Sequence, residues 1–275
     1  MPAALWPLAG MIIRLDHVVI AVRDLAVAIE RYRSLGFEVQ PGGRHVGLGT
    51  HNALIRFGLD YIELLAVHDE AEARRQNSRS AMLDFLERRE GGLIGYAVAT
   101  ADIDDDARRL GATGLAAVGP FAMSRTRPDG RVLSWRLLIP EGLAWRRPWP
   151  FLIQWDAADA DRLAWEVPGR HPNGATSVRA VRVLVADAAR GREVYGRHLG
   201  LVEASGARSE AGPRYRLGGT TIELVTASGD PVLQRILADE GEGIHELVLA
   251  TRDVAAAERR LGTAPADGAR IAFSA

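Results

Sequence analysis

Glu63 interrupts an otherwise apolar run, GLDYIELLAV at residues 58–67. Its neighbours Tyr61, Ile62, Leu64 and Leu65 are those of a strand packed between two layers. A buried carboxylate is tolerated where it meets a cation, a metal or a hydrogen-bonding ligand. On a half-exposed strand it would simply face water, as alternate residues do. Two further stretches carry polar groups able to meet a small molecule. GRHVGLGTHNALIRFG (43–58) reads as a glycine-rich loop running into a strand. His45, Thr50 and Asn52 there could line a cavity mouth and hydrogen-bond a substrate. No Lys-Ser/Thr follows, so it is not a phosphate loop. SRTRPDGRVLSWRL (124–137) sets Arg125 and Arg127 before a Pro128-Asp129-Gly130 turn. Guanidinium forks grip carboxylates, so an inward Arg125 implies an anionic ligand. Trp135, Trp155 and Tyr96 could wall such a site, although aromatic residues on strands equally serve as core.

Composition narrows the chemistry. The chain has 275 residues, 47% hydrophobic and 25% charged, with a net charge of −1. That is the profile of a soluble globular protein with one large domain or two ordinary ones. Nothing favours a nucleic-acid or membrane-surface partner, and a small-molecule ligand is expected. Every basic residue apart from His is Arg, so a lysine Schiff base is excluded. With no Cys there is no disulfide, thiolate nucleophile or thiolate metal ligand. Any metal would rest on His, Asp, Glu or neutral oxygen. No Ser-His-Asp arrangement or G-x-S-x-G elbow stands out. The opening MPAALWPLAGMIIRLDH lacks a basic n-region and a long apolar core, and Pro7 interrupts it. It does not read as a signal peptide, and Met11 offers an alternative start. No apolar run approaches the ~20 residues of a membrane span, so a cytoplasmic protein is expected.

The elements that must position these residues come as a repeat. Apolar strands beginning at Leu15, Leu93, Val178 and Ile244 each end in an Asp: Asp24, Asp102, Asp187 and Asp253. Each Asp precedes an Ala/Arg-rich helical segment and is placed to cap it. The acidic run 104–106 falls on a first helical turn, where it favours the macrodipole. Gly36, Gly111, Gly200 and Gly262 fall where the helices should stop. Strand-like runs follow: FEVQPG, ALIRFG and DYIELLAV in the first unit; VLSWRLLIP and PFLIQWD in the second; LVEAS, PRYRLG and TTIELVTA in the third. The fourth ends early, at ARIAFSA. The unit is therefore βαβββ. Residues 77–92 read as a connector, and residues 157–177, rich in Ala, Asp, Pro and Gly, as a linker between domains 11–156 and 178–275.

This repeat resembles the vicinal oxygen chelate superfamily, which includes glyoxalases, extradiol dioxygenases, epimerases and bleomycin-resistance proteins. Through LDHVVIAVRDL, the 43–67 stretch, SRTRPDGRVLSWRL and PFLIQWD, the first half is similar to its glyoxalase-like branch. The resemblance implies an α+β fold of tandem βαβββ modules forming open, barrel-like mixed sheets with helices outside. It implies metal ligands on the first and last strand of a module, here His17 and Glu63, with a divalent Fe, Mn, Ni or Zn. Glu63 would also shuttle a proton in isomerase, lyase or dioxygenase chemistry on a small, oxygenated, anionic substrate. The second module departs from the pattern, with Gly95 beside Tyr96 at the first position and Gln154 at the second. His45, His51 or Tyr96 would have to complete a ligand set. A substrate pocket of His45, Asn52, Tyr96, Arg125, Trp135 and Gln154 is expected, in an enzyme or in a metal-free binding protein. In the second half Ala180 and Glu223 match the pair, and Glu223, His245 and Glu246 would form any further site. Modules should pair within the chain, giving a monomer or homodimer.

Overall fold

The computed structural model describes residues 12–142, 145–204, 212–262 and 265–275. The opening ten residues and Met11 lie outside them. The first module contains β1 (Ile12–Val22), α1 (Leu25–Ser34), β2 (Gln40–His45), β3 (Thr50–Arg56) and β4 (Tyr61–Val67). Two helices follow, α2 (Glu70–Arg74) and α3 (Asn77–Arg88). The second module contains β5 (Gly91–Thr100), α4 (Ile103–Thr113), β6 (Ala117–Thr126), β7 (Val132–Pro140) and β8 (Phe151–Trp155). After α5 (Asp159–Trp165) come β9 (Ala175–Leu184), α6 (Ala188–Arg192), β10 (Arg214–Leu217) and β11 (Thr220–Val225). The chain then runs through α7 (Pro231–Glu240), β12 (Gly243–Thr251), α8 (Val254–Leu261) and β13 (Ile271–Ser274). No helix among the described residues is long and apolar enough to cross a membrane.

Asp24, Asp102, Asp187 and Asp253 each accept backbone N–H groups at a helix start, as expected of caps. Gly111 differs from expectation. It lies inside α4, which ends at the left-handed Gly114 instead. LVEAS contributes only an isolated bridge, Glu203 to Tyr215, and the periodicity reading missed β6 altogether.

Strands of the first two modules close into a barrel in the order β1-β4-β3-β2-β6-β7-β8-β5. All eight come from one chain, so these modules pair internally. The modules join along β1–β5 and across a short β2–β6 seam, where Arg44 faces Thr126 and His45 faces Arg125. The remaining strands form a separate sheet, β10-β11-β9-β12-β13. Alternation divides each barrel strand into an outer and an inner set. Val18, Ile20, Tyr96 and Val98 face outward into a core that continues through Val181, Ile222 and Leu247 of the second sheet. Val19, Leu65, Trp135, Phe151 and Ile153 face inward.

Residues 157–177 do more than link. They carry α5, whose Arg162 is fully buried, and Glu166 just beyond it is 2% exposed. Residues 77–92 likewise hold the whole of α3, which delivers Arg79 to the barrel interior.

Candidate active site

Inside the barrel is a cavity of about 450 Å³. Glu63, 7% exposed, projects into it from β4. Its Oε1 accepts from Asn52 Nδ2 at 2.5 Å. His45 Nε2 stands 3.6 Å from Oε1, and His17 Nε2 stands 3.7 Å from Oε2. Burial alone would push the Glu63 carboxyl up. His17, His45, the Asn52 amide and Arg125 outweigh it, so the group lies below its ordinary value and is ionised at neutral pH.

Each imidazole is held from behind. His17 Nδ1 bonds Asp16 at 2.8 Å, so Nε2 is the atom presented to Glu63. The ring stacks on Tyr61 at 4.8 Å and meets the edge of Phe151 at 5.5 Å. Asp16 can lie beside its neighbour because the β1–β5 register shifts between Leu15 and His17, leaving Asp16 as the bulged residue. Burial would raise its carboxyl, but Arg162, His17 and Arg14 hold it far below the ordinary range. His45 Nδ1 meets Thr50 Oγ1 at 3.0 Å.

Behind these groups the polar contacts close into a ring. Arg162 lies 3.5 Å from Asp16 and 3.5 Å from Glu166. Glu166 pairs with Arg125 at 2.5 Å, and Arg125 reaches Asn52 at 3.3 Å. Asn52 returns the chain of contacts to Glu63. Arg56 adds a third guanidinium at 3.1 Å from Glu166. Such a ring resists rearrangement, because freeing one member strands a buried charge on the next.

His17, His45, Asn52, Glu63, Arg125 and Trp135 therefore all border one cavity. Tyr96 and Gln154 do not, and both expectations are corrected by strand alternation. Tyr96 faces outward, where its hydroxyl meets that of Tyr195 beneath the second sheet. On β8 it is Phe151, Ile153 and Trp155 that line the cavity. Gln154 faces away, bonding Arg136 at 2.7 Å and the Ala101 carbonyl at 2.7 Å. Register shows which residue matches Glu63. Val19 on β1 faces Glu63 on β4, and Ala97 on β5 faces Phe151 on β8. Phe151 is the counterpart, and Gly95, the counterpart of His17, lies against the Trp145 ring. One half of the cavity is thus polar and the other aromatic. Arg125 is engaged by Glu166 and Asn52 rather than free for an anion. Sequence reasoning missed Asp16, Arg79, Arg162 and Glu166.

The Glu63 cluster presents metal-type donors, but no metal site is shown among the described residues. Two imidazoles and a carboxylate have suitable chemistry. Yet among the described residues no group of three His, Cys, Asp or Glu is placed to hold an ion. The imidazoles meet different oxygens of Glu63, Asn52 bonds one of them, and Gly95 and Phe151 offer no donor. In the second sheet Glu223 and Glu246 both bind Arg182, and Glu223 also meets Arg214 at 3.3 Å, so the carboxylates expected of a further site are taken up by arginines.

The fold and cavity define a protein of the vicinal oxygen chelate type. The glyoxalase-like domain family matches residues 15–199, and the chain belongs to it. None of the curated proteins compared matches the chain. Among solved structures, a hypothetical protein from Staphylococcus aureus is similar at TM-score 0.71 and 18% identity, over 96% of this chain and 99% of that one. A variant of 4-hydroxymandelate synthase from Streptomyces coelicolor is similar at TM-score 0.58 and 15% identity, over 91% and 74%. A fusion of a xylose isomerase-like TIM barrel with 4-hydroxyphenylpyruvate dioxygenase reaches TM-score 0.52 at 14% identity, over 92% of this chain and 39% of that one. These likenesses establish the fold.

Proposed function

We propose that the barrel binds a small oxygenated organic molecule and that Glu63 moves a proton on it, as isomerases and lyases do. The observation that carries this reading is the ionised Glu63 facing a cavity, flanked by two imidazole Nε2 atoms held from behind. A carboxylate so placed can take a proton from a carbon next to a carbonyl. The electron pair then moves onto the carbonyl oxygen, and the proton returns to the other face or to a neighbouring atom. The aromatic half of the cavity excludes water from the reacting carbon.

Solvent-deuterium exchange into a panel of 2-oxo and 2-hydroxy acids, followed by proton NMR, tests the proposal. Protein dialysed against chelator should exchange at least one panel member. Glu63→Gln should slow that exchange by about 10²–10⁴-fold while binding persists. Exchange that vanishes on chelation and returns with a divalent ion would replace this reading with a metal-dependent one. A second reading, a binding or sequestering protein, draws on the Asn52 bond and the low Glu63 proton affinity, both of which weaken a base. Binding without exchange in any panel member would select it.

A further inference from the structure

Of the buried arginines that border the cavity, Arg79 is the one that the polar ring does not engage; Arg147, bonded to the Pro140 and Gly142 carbonyls, and the exposed Arg75 also border it. Arg79 is 8% exposed and borders the cavity from the first turn of α3. Among the described residues it forms no ion pair or side-chain hydrogen bond, and its Nε is buried without a partner. Its guanidinium lies 5.3 Å from the centre of the Trp145 ring, and that indole is fixed by donating to the Ser78 carbonyl at 2.8 Å. Burial pulls the Arg79 charge down in affinity for its proton, and Glu63 across the cavity only partly offsets this. Arg14 apart, four buried guanidiniums (Arg56, Arg79, Arg125, Arg162) face three buried carboxylates (Asp16, Glu63, Glu166) in and behind the cavity. Among these seven groups the guanidinium without a carboxylate partner is Arg79.

The helix itself points the same way. Gln76 occupies the N-cap of α3 without a side-chain cap bond, and no acidic residue lies in the first turn. Gln76, Asn77 and Ser78 all border the cavity. The N-terminus of a 12-residue helix thus opens beside a buried, unpaired guanidinium. Trp135, Trp155 and Phe151 line the same cavity, with Phe151 6.1 Å from the Trp145 ring.

We propose that Arg79 and the N-terminus of α3 form an anion subsite that grips the carboxylate of a monocarboxylic acid whose apolar body lies on the aromatic wall. This rests on the cavity being the ligand site, as proposed above, but not on Glu63 acting as a base. The one buried guanidinium at the cavity without a carboxylate partner among the described residues matches the single charge of a carboxylate, whereas a phosphate monoester would bring about two.

Tryptophan fluorescence and thermal shift with three probes test it: phenylacetate, its neutral analogue phenylacetamide, and phenyl phosphate. Wild-type protein should bind phenylacetate about 10- to 100-fold more tightly than the amide. Arg79→Gln should abolish that preference, and Arg79→Lys should restore part of it. Glu63→Gln should keep it, which separates this subsite from the proposed chemistry. Arg79→Gln should also raise the melting temperature of the ligand-free protein, since it removes a buried unpaired charge, whereas loss of a structural arginine would lower it. The subsite is overturned if the amide binds as well as the acid, if phenyl phosphate binds better, if no probe binds, or if Arg79→Gln retains the acid preference.

Discussion

Burial draws the His45 imidazole down to about 3, opposed by Glu63 and reinforced by Arg79 and Arg125. In the unfolded chain the same ring takes a proton near its ordinary 6.5. Between these values the unfolded state binds more protons, so stability falls as the pH falls. The contribution is complete above pH 6.5 and is lost as acid approaches the folded value. Between pH 7 and pH 5 the loss at this residue is about 2 kcal/mol. Urea unfolding at both values should show it, and His45→Gln should flatten the difference by that amount. Equal pH slopes in the two proteins would mean that His45 is protonated in the fold. Glu63 was legible in the sequence because a carboxylate inside an apolar strand is conspicuous. Arg79, Arg162 and Glu166 were not, because Arg and Glu in short polar helices are ordinarily solvated. Only the docking of α3 and α5 against the barrel turns them inward.

At the level of elements, the repeat and its capping Asp residues could be read directly, since caps and period are local. Register could not. The repeat put Gln154 at the position matching Glu63, but strand pairing puts Phe151 there, and a shift of odd length moves a side chain to the other face. The narrow β2–β6 seam shows how element geometry and site depend on one another. A Cβ on Gly43, whose φ is +145°, would lie 2.1 Å from the Thr126 carbonyl oxygen, which is backbone and cannot yield. A Cβ on Gly42 would instead press on the Asn52 amide at 2.0 Å and on Arg125 at 2.9 Å. Gly43→Ala should therefore open the seam and cost about 2 kcal/mol or more by denaturant titration. Gly42→Ala should cost less stability but push Asn52 off Glu63, weakening binding of whichever panel acid the wild-type protein takes. A Gly43→Ala protein as stable as wild type would show that the seam does not hold the barrel shut.

Across the whole molecule, one apolar core joins the outer face of the barrel to the second sheet. Tyr32 donates to the Ala266 carbonyl at 3.2 Å, and a Cβ on Gly91 would lie 2.6 Å from the Asp267 carbonyl, so the two parts meet closely. The second sheet therefore supports the barrel although its own acidic pair is taken up by Arg182 and Arg214. Residues 178–275 contain no tryptophan, so indole fluorescence reports only on the first part of the chain. Leu247 is fully buried in the second sheet. Leu247→Ala should cost about 2–5 kcal/mol. If the shared core makes one cooperative unit, the loss appears in the tryptophan transition itself, coincident with the far-ultraviolet dichroism transition. A tryptophan midpoint that stays at the wild-type value while the dichroism becomes biphasic would mean that the barrel stands alone. The cavity would then not depend on the second sheet for its shape.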